Sequence, residues 1–157
     1  MTKSRIQPRI QIGFQEVMGV NLRYAKVDGE GPPLLICNGI GANLELGFNF
    51  LNAFKGRQAV LFELPGIGGS DKALFFPTMR NYSRYATGLL HALGIHGPFF
   101  VAGVSWGGTL AQQIARDNRE KVLGLILMAT TPGVVMVPGK PSAFLRMMTP
   151  QRYLSKE

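Results

Sequence analysis

The run Val101-Ala102-Gly103-Val104-Ser105-Trp106-Gly107-Gly108 passes from an apolar strand into a helix through the pattern G-x-S-x-G. A strand-to-helix turn that tight lifts one serine hydroxyl clear of the backbone, which makes Ser105 a candidate nucleophile. Gly103 and Gly107 suit the turn because a Cβ on either side would collide as the strand folds back into the helix, and Gly108 lets the helix start close to the sheet. The serine itself is expected in a strained backbone conformation. Placed at a helix N-terminus, it stands where free amides and the positive end of the helix dipole meet any oxyanion formed there. The bland alternative is a serine that only caps a helix. The motif is short and recurs by chance, so the flanking strand and the double glycine carry its weight.

The elements around this turn alternate. Arg9 to Met18 and Val20 to Val27 have strand-like content about Gly19 and predict a hairpin, which Asp28-Gly29-Glu30-Gly31-Pro32 then interrupts. Pro33 to Cys37 reads as a short buried strand, Leu44 to Phe54 as a helix capped by Asn43, and Ala59 to Leu64 as the next strand. From Thr78 to Leu93, Tyr82, Tyr85, Ala86, Leu89, Leu90 and Leu93 recur at helical spacing, with Gly94 as the stop. Phe99 to Val104 is a strand, Trp106 to Asp117 a helix, and Val122 to Ala129 a further apolar strand. Strand, helix, strand, helix, strand predicts an α/β fold: a mostly parallel sheet with helices on both faces. Thr131 to Glu157 changes character, with Pro132, Pro138, Pro141 and Pro150 punctuating it and Phe144-Leu145-Arg146-Met147-Met148 as its helix-like piece.

A loop that could complete an ester-cleaving site follows the third strand. Asn38-Gly39-Ile40-Gly41 stands where folds of this kind place their second oxyanion donor, and the amide of Ile40, with that of Trp106, is the expected pair. The plain reading is a glycine-rich turn. Gly66-Ile67-Gly68-Gly69 lacks the Lys-Ser/Thr pair of a phosphate loop and reads as a structural turn. Both histidines, His91 and His96, precede Ser105, and residues 106–157 contain none. Of the later carboxylates, Asp117, Glu120 and Glu157 lie at the far end of the serine helix or at the terminus, away from any strand end that would present an orienting acid.

Composition bounds the setting. At 157 residues, with 46% hydrophobic and 17% charged residues, the chain has the make-up of one soluble domain able to bury a core. Its mean hydropathy of +0.11 suits a well-covered parallel sheet or a sheet short of some covering elements. The formal charge of +8 is scattered and comes with no recognition motif, so nucleic acid is not the expected partner, whereas an anionic surface fits. Cys37 sits in the apolar run Leu34-Leu35-Ile36-Cys37 and reads as a small buried hydrophobe. No secretory signal or span of transmembrane length is read, and with no disulfide framework the expected setting is the reducing cytoplasm.

Four segments together resemble the intracellular depolymerases of medium-chain-length polyhydroxyalkanoates, which are bacterial α/β-hydrolases. They are Asn38-Gly39-Ile40-Gly41-Ala42-Asn43-Leu44-Glu45-Leu46, Pro65-Gly66-Ile67-Gly68-Gly69-Ser70, the run from Gly103 to Gln113, and Val135-Met136-Val137-Pro138-Gly139-Lys140-Pro141. The first and last are more specific than the serine turn, and the likeness spans nearly all of the chain after residue 30. The resemblance implies ester hydrolysis of a storage polyester at cytoplasmic granules, releasing 3-hydroxy fatty acids, with Ser105 as nucleophile and no cofactor or metal. It also implies that residues 1–130 are an incomplete core of six strands with the nucleophile turn and that 131–157 begin a cap. The family's Asp and His follow the serine, so this chain is expected to hold the front half of the site and to be inactive alone. The alternatives are a general carboxylesterase or lipase of the same fold, or a non-catalytic remnant that binds the granule.

Overall fold

The computed structural model describes residues 10–54 and 56–131. Six strands form one sheet in the order β1-β2-β4-β3-β5-β6. β1 (Gln11–Val17) and β2 (Val20–Val27) form the predicted hairpin, closed by Met18 and Gly19, both at positive φ. β2 then pairs antiparallel with β4 (Arg57–Phe62), while β3 (Glu30–Cys37), β4, β5 (Phe99–Val104) and β6 (Val122–Met128) run parallel. The sheet is therefore mostly parallel, with its antiparallel pairs at one edge, as expected for strands that alternate with helices.

Two cores sandwich this sheet. On one face, Leu35, Val60 and Val101 meet Leu89 and Leu90 of α2 (Met79–Ala92) and Leu110 and Ile114 of α3 (Trp106–Asp117). On the other, Leu34, Ile36, Ala59 and Leu61 meet Leu44 and Leu51. Successive strand residues point to opposite faces, so strands covered on both sides must be apolar throughout, which is why β3 and β4 read as unbroken apolar runs. α2 begins at Thr78, whose hydroxyl accepts the Asn81 N–H while the Asn81 side chain accepts the Thr78 N–H, and it ends before Gly94 at φ +78°.

Several expectations are revised. β3 starts earlier than Pro33: Glu30 donates its N–H to the Gly56 carbonyl and pairs with Arg57, and a register shift before Leu34 absorbs the glycine and prolines. The segment from Leu44 is a 3₁₀ turn (Leu44–Gly47) followed by a six-residue α1 (Phe48–Ala53), and the Asn43 side chain makes no capping bond. A buried carboxylate takes the Leu44 amide instead. β6 is apolar as predicted but not enclosed, since Leu123, Leu125, Ile126 and Leu127 are each 39–51% exposed among the described residues. The polypeptide following Thr131, including the 135–141 segment and the helix-like piece at Phe144, lies outside the described residues, as does the extreme N-terminus.

Candidate active site

Ser105 lies between β5 and α3 with φ 53° and ψ −122°, and Trp106 opens the helix. Few non-glycine residues hold that conformation, and it persists where surrounding structure fixes it. Two backbone bonds do so: the Ser105 N–H donates to the Met128 carbonyl at the end of β6 (3.0 Å), and its own carbonyl accepts from Gly108 N–H (2.9 Å). The glycines have steric reasons. A Cβ on Gly103 would strike the Gly107 carbonyl, one on Gly107 the carbonyl oxygens of Cys37 and Asn38, and one on Gly108 the Thr130 side chain. The Gly108 constraint thus comes from the chain after β6, and α3 is pressed against the end of β3 more closely than any side chain would allow.

The Asn38–Asn43 loop leaves the end of β3 on this same side. It is closed by Ala42 N–H to the Gly39 carbonyl (3.2 Å), by the Asn38 side-chain amide to the Asn43 carbonyl (3.0 Å), and by Gly41 at φ +69°. Gly39 packs against Ser105, a Cβ there falling at an ordinary 3.6 Å from the Ser105 Cβ. Asn38, Gly39, Ile40 and Gly41 line one cavity of about 230 Å³ together with Trp106, and Ser105 adjoins that lining. The rest of the wall is apolar, with Phe62, Leu64, Ile67 and Leu110, plus the ring of Tyr82 packed edge-on to Trp106 at 5.5 Å. Burial, with a smaller contribution from Tyr85, raises the Tyr82 phenol above its ordinary value, so a neutral hydroxyl borders an otherwise apolar space. An apolar cavity of ~150 Å³ is enough for a benzene-sized ligand, so this one has room for an alkyl chain.

One buried residue that braces the surroundings of the cavity was missed by sequence reasoning confined to carboxylates after Ser105. Glu63, at the end of β4 and 1% exposed, accepts from Leu44 N–H (3.0 Å), Gly69 N–H (2.7 Å) and the Arg23 guanidinium (3.3 Å). Ser70 extends the cluster, accepting Arg23 N–H (2.8 Å) and donating to the Glu63 carbonyl (3.0 Å). Glu63 thereby ties the segment that follows Asn38–Asn43 to the Gly66–Gly69 turn, from which Ile67 lines the cavity. Its signal in the sequence is an acid directly after an apolar strand and before Pro65-Gly66. Arg23 also pairs with Glu45 at 2.8 Å, a hydrogen bond that holds the Glu45 carboxyl below its ordinary range and the guanidinium above its own.

The histidines are not part of this constellation. His91 and His96 are exposed and touch each other, ring centroids 4.4 Å apart. His96 precedes β5 whereas Ser105 follows it, which separates them by the length of a six-residue strand, about 20 Å. Asp117 closes α3 at that same far end, bonded to Gln113. Cys37 is buried, and burial pushes its thiol up, which fits a packing role.

Comparison with known proteins supports what the geometry outlines. The chain is 45% identical over 123 residues to the poly(3-hydroxyalkanoate) depolymerase of Ectopseudomonas oleovorans, covering 78% of this chain and 43% of that protein. Among solved structures, a bacterial membrane phospholipase A superposes with a TM-score of 0.76 at 24% identity, covering 90% of this chain and 46% of the other. An epoxide hydrolase of Vigna radiata superposes with a TM-score of 0.72 at 21% identity, covering 88% and 46%. The chain thus spans less than half the length of each of these proteins. A family model for the alpha/beta hydrolase fold matches residues 32–153, and on that match the chain belongs to the α/β-hydrolase fold family.

Proposed function

We propose that the chain carries the nucleophile half of a serine ester hydrolase acting on medium-chain-length polyhydroxyalkanoate at cytoplasmic granules. The observation that carries this reading is the 45% identity to a poly(3-hydroxyalkanoate) depolymerase across the segment containing Ser105 and the Asn38–Asn43 loop. In the proposed reaction the Ser105 hydroxyl attacks the ester carbonyl, and the amides of Ile40 and Trp106 hold the oxyanion of the tetrahedral intermediate. The alcohol end of the polymer leaves, and water releases the 3-hydroxy acid from the acyl-enzyme. Each step exchanges acyl and proton partners without redox change and calls on no cofactor. The apolar cavity receives the alkyl side chain of the ester.

The proton of Ser105 needs a base, and the location of His91 and His96 at the opposite end of β5 supports a reading in which neither serves and a histidine of the enzyme's other half does. Residues 131–157 are assigned to the start of a cap over the site. The test is hydrolysis of a medium-chain ester and of polyhydroxyalkanoate colloid by the chain alone, and by the chain extended with the remaining C-terminal part of the Ectopseudomonas oleovorans depolymerase. The extended form is expected to turn over both, to prefer medium-chain over short esters, and to lose at least about 10³-fold in Ser105→Ala. Turnover that survives Ser105→Ala refutes the nucleophile. Turnover by the 157-residue form that Ser105→Ala abolishes refutes the assignment of the base.

A further inference from the structure

The segment between the Gly66–Gly69 turn and α2 presents Leu74, Phe75 and Phe76 at 95%, 84% and 103% exposure. Isolated exposed apolar residues are ordinary, but three in succession with almost no contact to their own protein leave a concentrated cost in water. The chain bends at Leu74 and Phe75, which puts the three residues at an exposed tip. This differs from the exposed face of β6, whose residues are half-covered and which stands at the edge of the sheet among the described residues. Three consecutive apolar residues almost fully exposed on a bend suit a fluid apolar phase better than a rigid groove.

Charge decides which phase. Lys72 precedes the tip, and Arg80 and Arg84 follow it on the first turns of α2, all three exposed, with Asp71 the single acid between residues 71 and 84. The ion pairs among the described residues involve Arg23 with Glu45 and Glu63, and Lys26 with Asp28, so these three cations are not neutralised by carboxylates. Exposed Met18, at 57%, borders the groove beside the tip. We propose that Leu74-Phe75-Phe76 is an interfacial anchor that inserts into a phospholipid surface bearing anionic headgroups, with Lys72 and Arg80 on the phosphates to either side. Apolar insertion flanked by cations is how monotopic segments hold such an interface. The anchor lies beside the cavity next to Ser105, because Pro65 and Tyr82 line both that cavity and the groove against the tip. Docking therefore brings the cavity to the interface. The inference stands on exposure and charge and does not depend on the ester-hydrolase reading, so it is tested without any turnover measurement.

The experiment is sedimentation of the chain with vesicles of phosphatidylcholine alone and of a phosphatidylcholine–phosphatidylglycerol mixture, at low and high salt. Binding is expected to the mixed vesicles only, weakened by salt. The double variant Phe75→Ser/Phe76→Ser should lose at least about tenfold in partitioning, since each ring contributes an apolar transfer term. Lys72→Gln/Arg80→Gln should lose about 25-fold, near fivefold for each cation. Fluorescence of the single Trp106 reports that each variant retains its fold, and Phe76→Trp should shift to the blue on mixed vesicles. Failure of the unaltered chain to bind mixed vesicles overturns the proposal. So does binding equal to that of the double phenylalanine variant, which would mark diffuse adsorption by a basic chain. Self-association abolished by that variant, with no vesicle binding, would assign the tip to a second copy of the chain and overturn it too.

Discussion

Replacing Glu63 by Gln is the most informative perturbation, because it changes one atom in a buried cluster that ties together two segments beside the cavity. The carboxylate accepts from the Leu44 amide at 3.0 Å, the Gly69 amide at 2.7 Å and the Arg23 guanidinium at 3.3 Å, with 1% of the residue exposed. A glutamine keeps one acceptor oxygen, so in either orientation its NH₂ faces a donor. If the nitrogen takes the Oε2 position, the Gly69 N–H is orphaned; if it takes the Oε1 position, the Leu44 N–H and Arg23 are. An unsatisfied buried donor costs about 1–3 kcal/mol, and conversion of a charge-assisted bond to a neutral one about 1 kcal/mol more. Arg23 retains Glu45 at 2.8 Å, so no buried cation is left bare and the larger penalty for breaking a buried pair is avoided. The expected loss is about 3 kcal/mol. In urea, with a slope of about 2 kcal/mol per molar, the unfolding midpoint followed by Trp106 fluorescence should fall by about 1.5 M at unchanged slope. Hydrogen exchange gives a local readout, since the Leu44 and Gly69 amides should lose protection ahead of the strands. A midpoint shift worth under about 1 kcal/mol, with both amides still protected, would refute the account of Glu63 as the tie between the loops.

Gly107→Ala should cost about 4 kcal/mol or more, or abolish folding, because the new methyl meets backbone oxygens of Cys37 and Asn38 rather than a mobile side chain; thermal unfolding measures it, and a loss under 1 kcal/mol would contradict the packing. Cys37 should resist a thiol reagent in the folded chain and react once denaturant unfolds it, since burial both hides the thiol and disfavours the thiolate; reaction at the same rate in both states would refute its burial. The Glu45 carboxyl is held below its ordinary value of 4.5 by the Arg23 hydrogen bond, so its contribution is present above that pH and lost as pH falls through the lowered value. Because the Glu45 side chain is 46% exposed, the screened pair is worth no more than about 1 kcal/mol, and Glu45→Gln should cost no more than that at pH 7 and flatten the acid limb of a stability profile.

The sequence by itself determined the elements whose signals are local. The 3.6-residue period from Tyr82 to Leu93 placed α2, the glycines around Ser105 placed the strained turn, and the unbroken apolar runs at Leu34–Cys37 and Phe99–Val104 placed two central strands. These features depend on a residue and its near neighbours, through steric limits on φ and ψ and through the period of side chains along an element, so they survive without knowledge of partners. Tertiary structure alone decided which groups meet. It carried β3 back to Glu30 because Gly56 and Arg57 offered a partner, and gave the Leu44 amide to Glu63 in place of Asn43. It also placed both histidines at the opposite end of β5 from Ser105, and left the tip at Leu74–Phe76 bare while equally apolar runs were enclosed. A hydrogen bond or a buried face is a property of two segments brought together by chain closure, and Leu44 and Glu63, 19 positions apart, carry no local trace of that meeting.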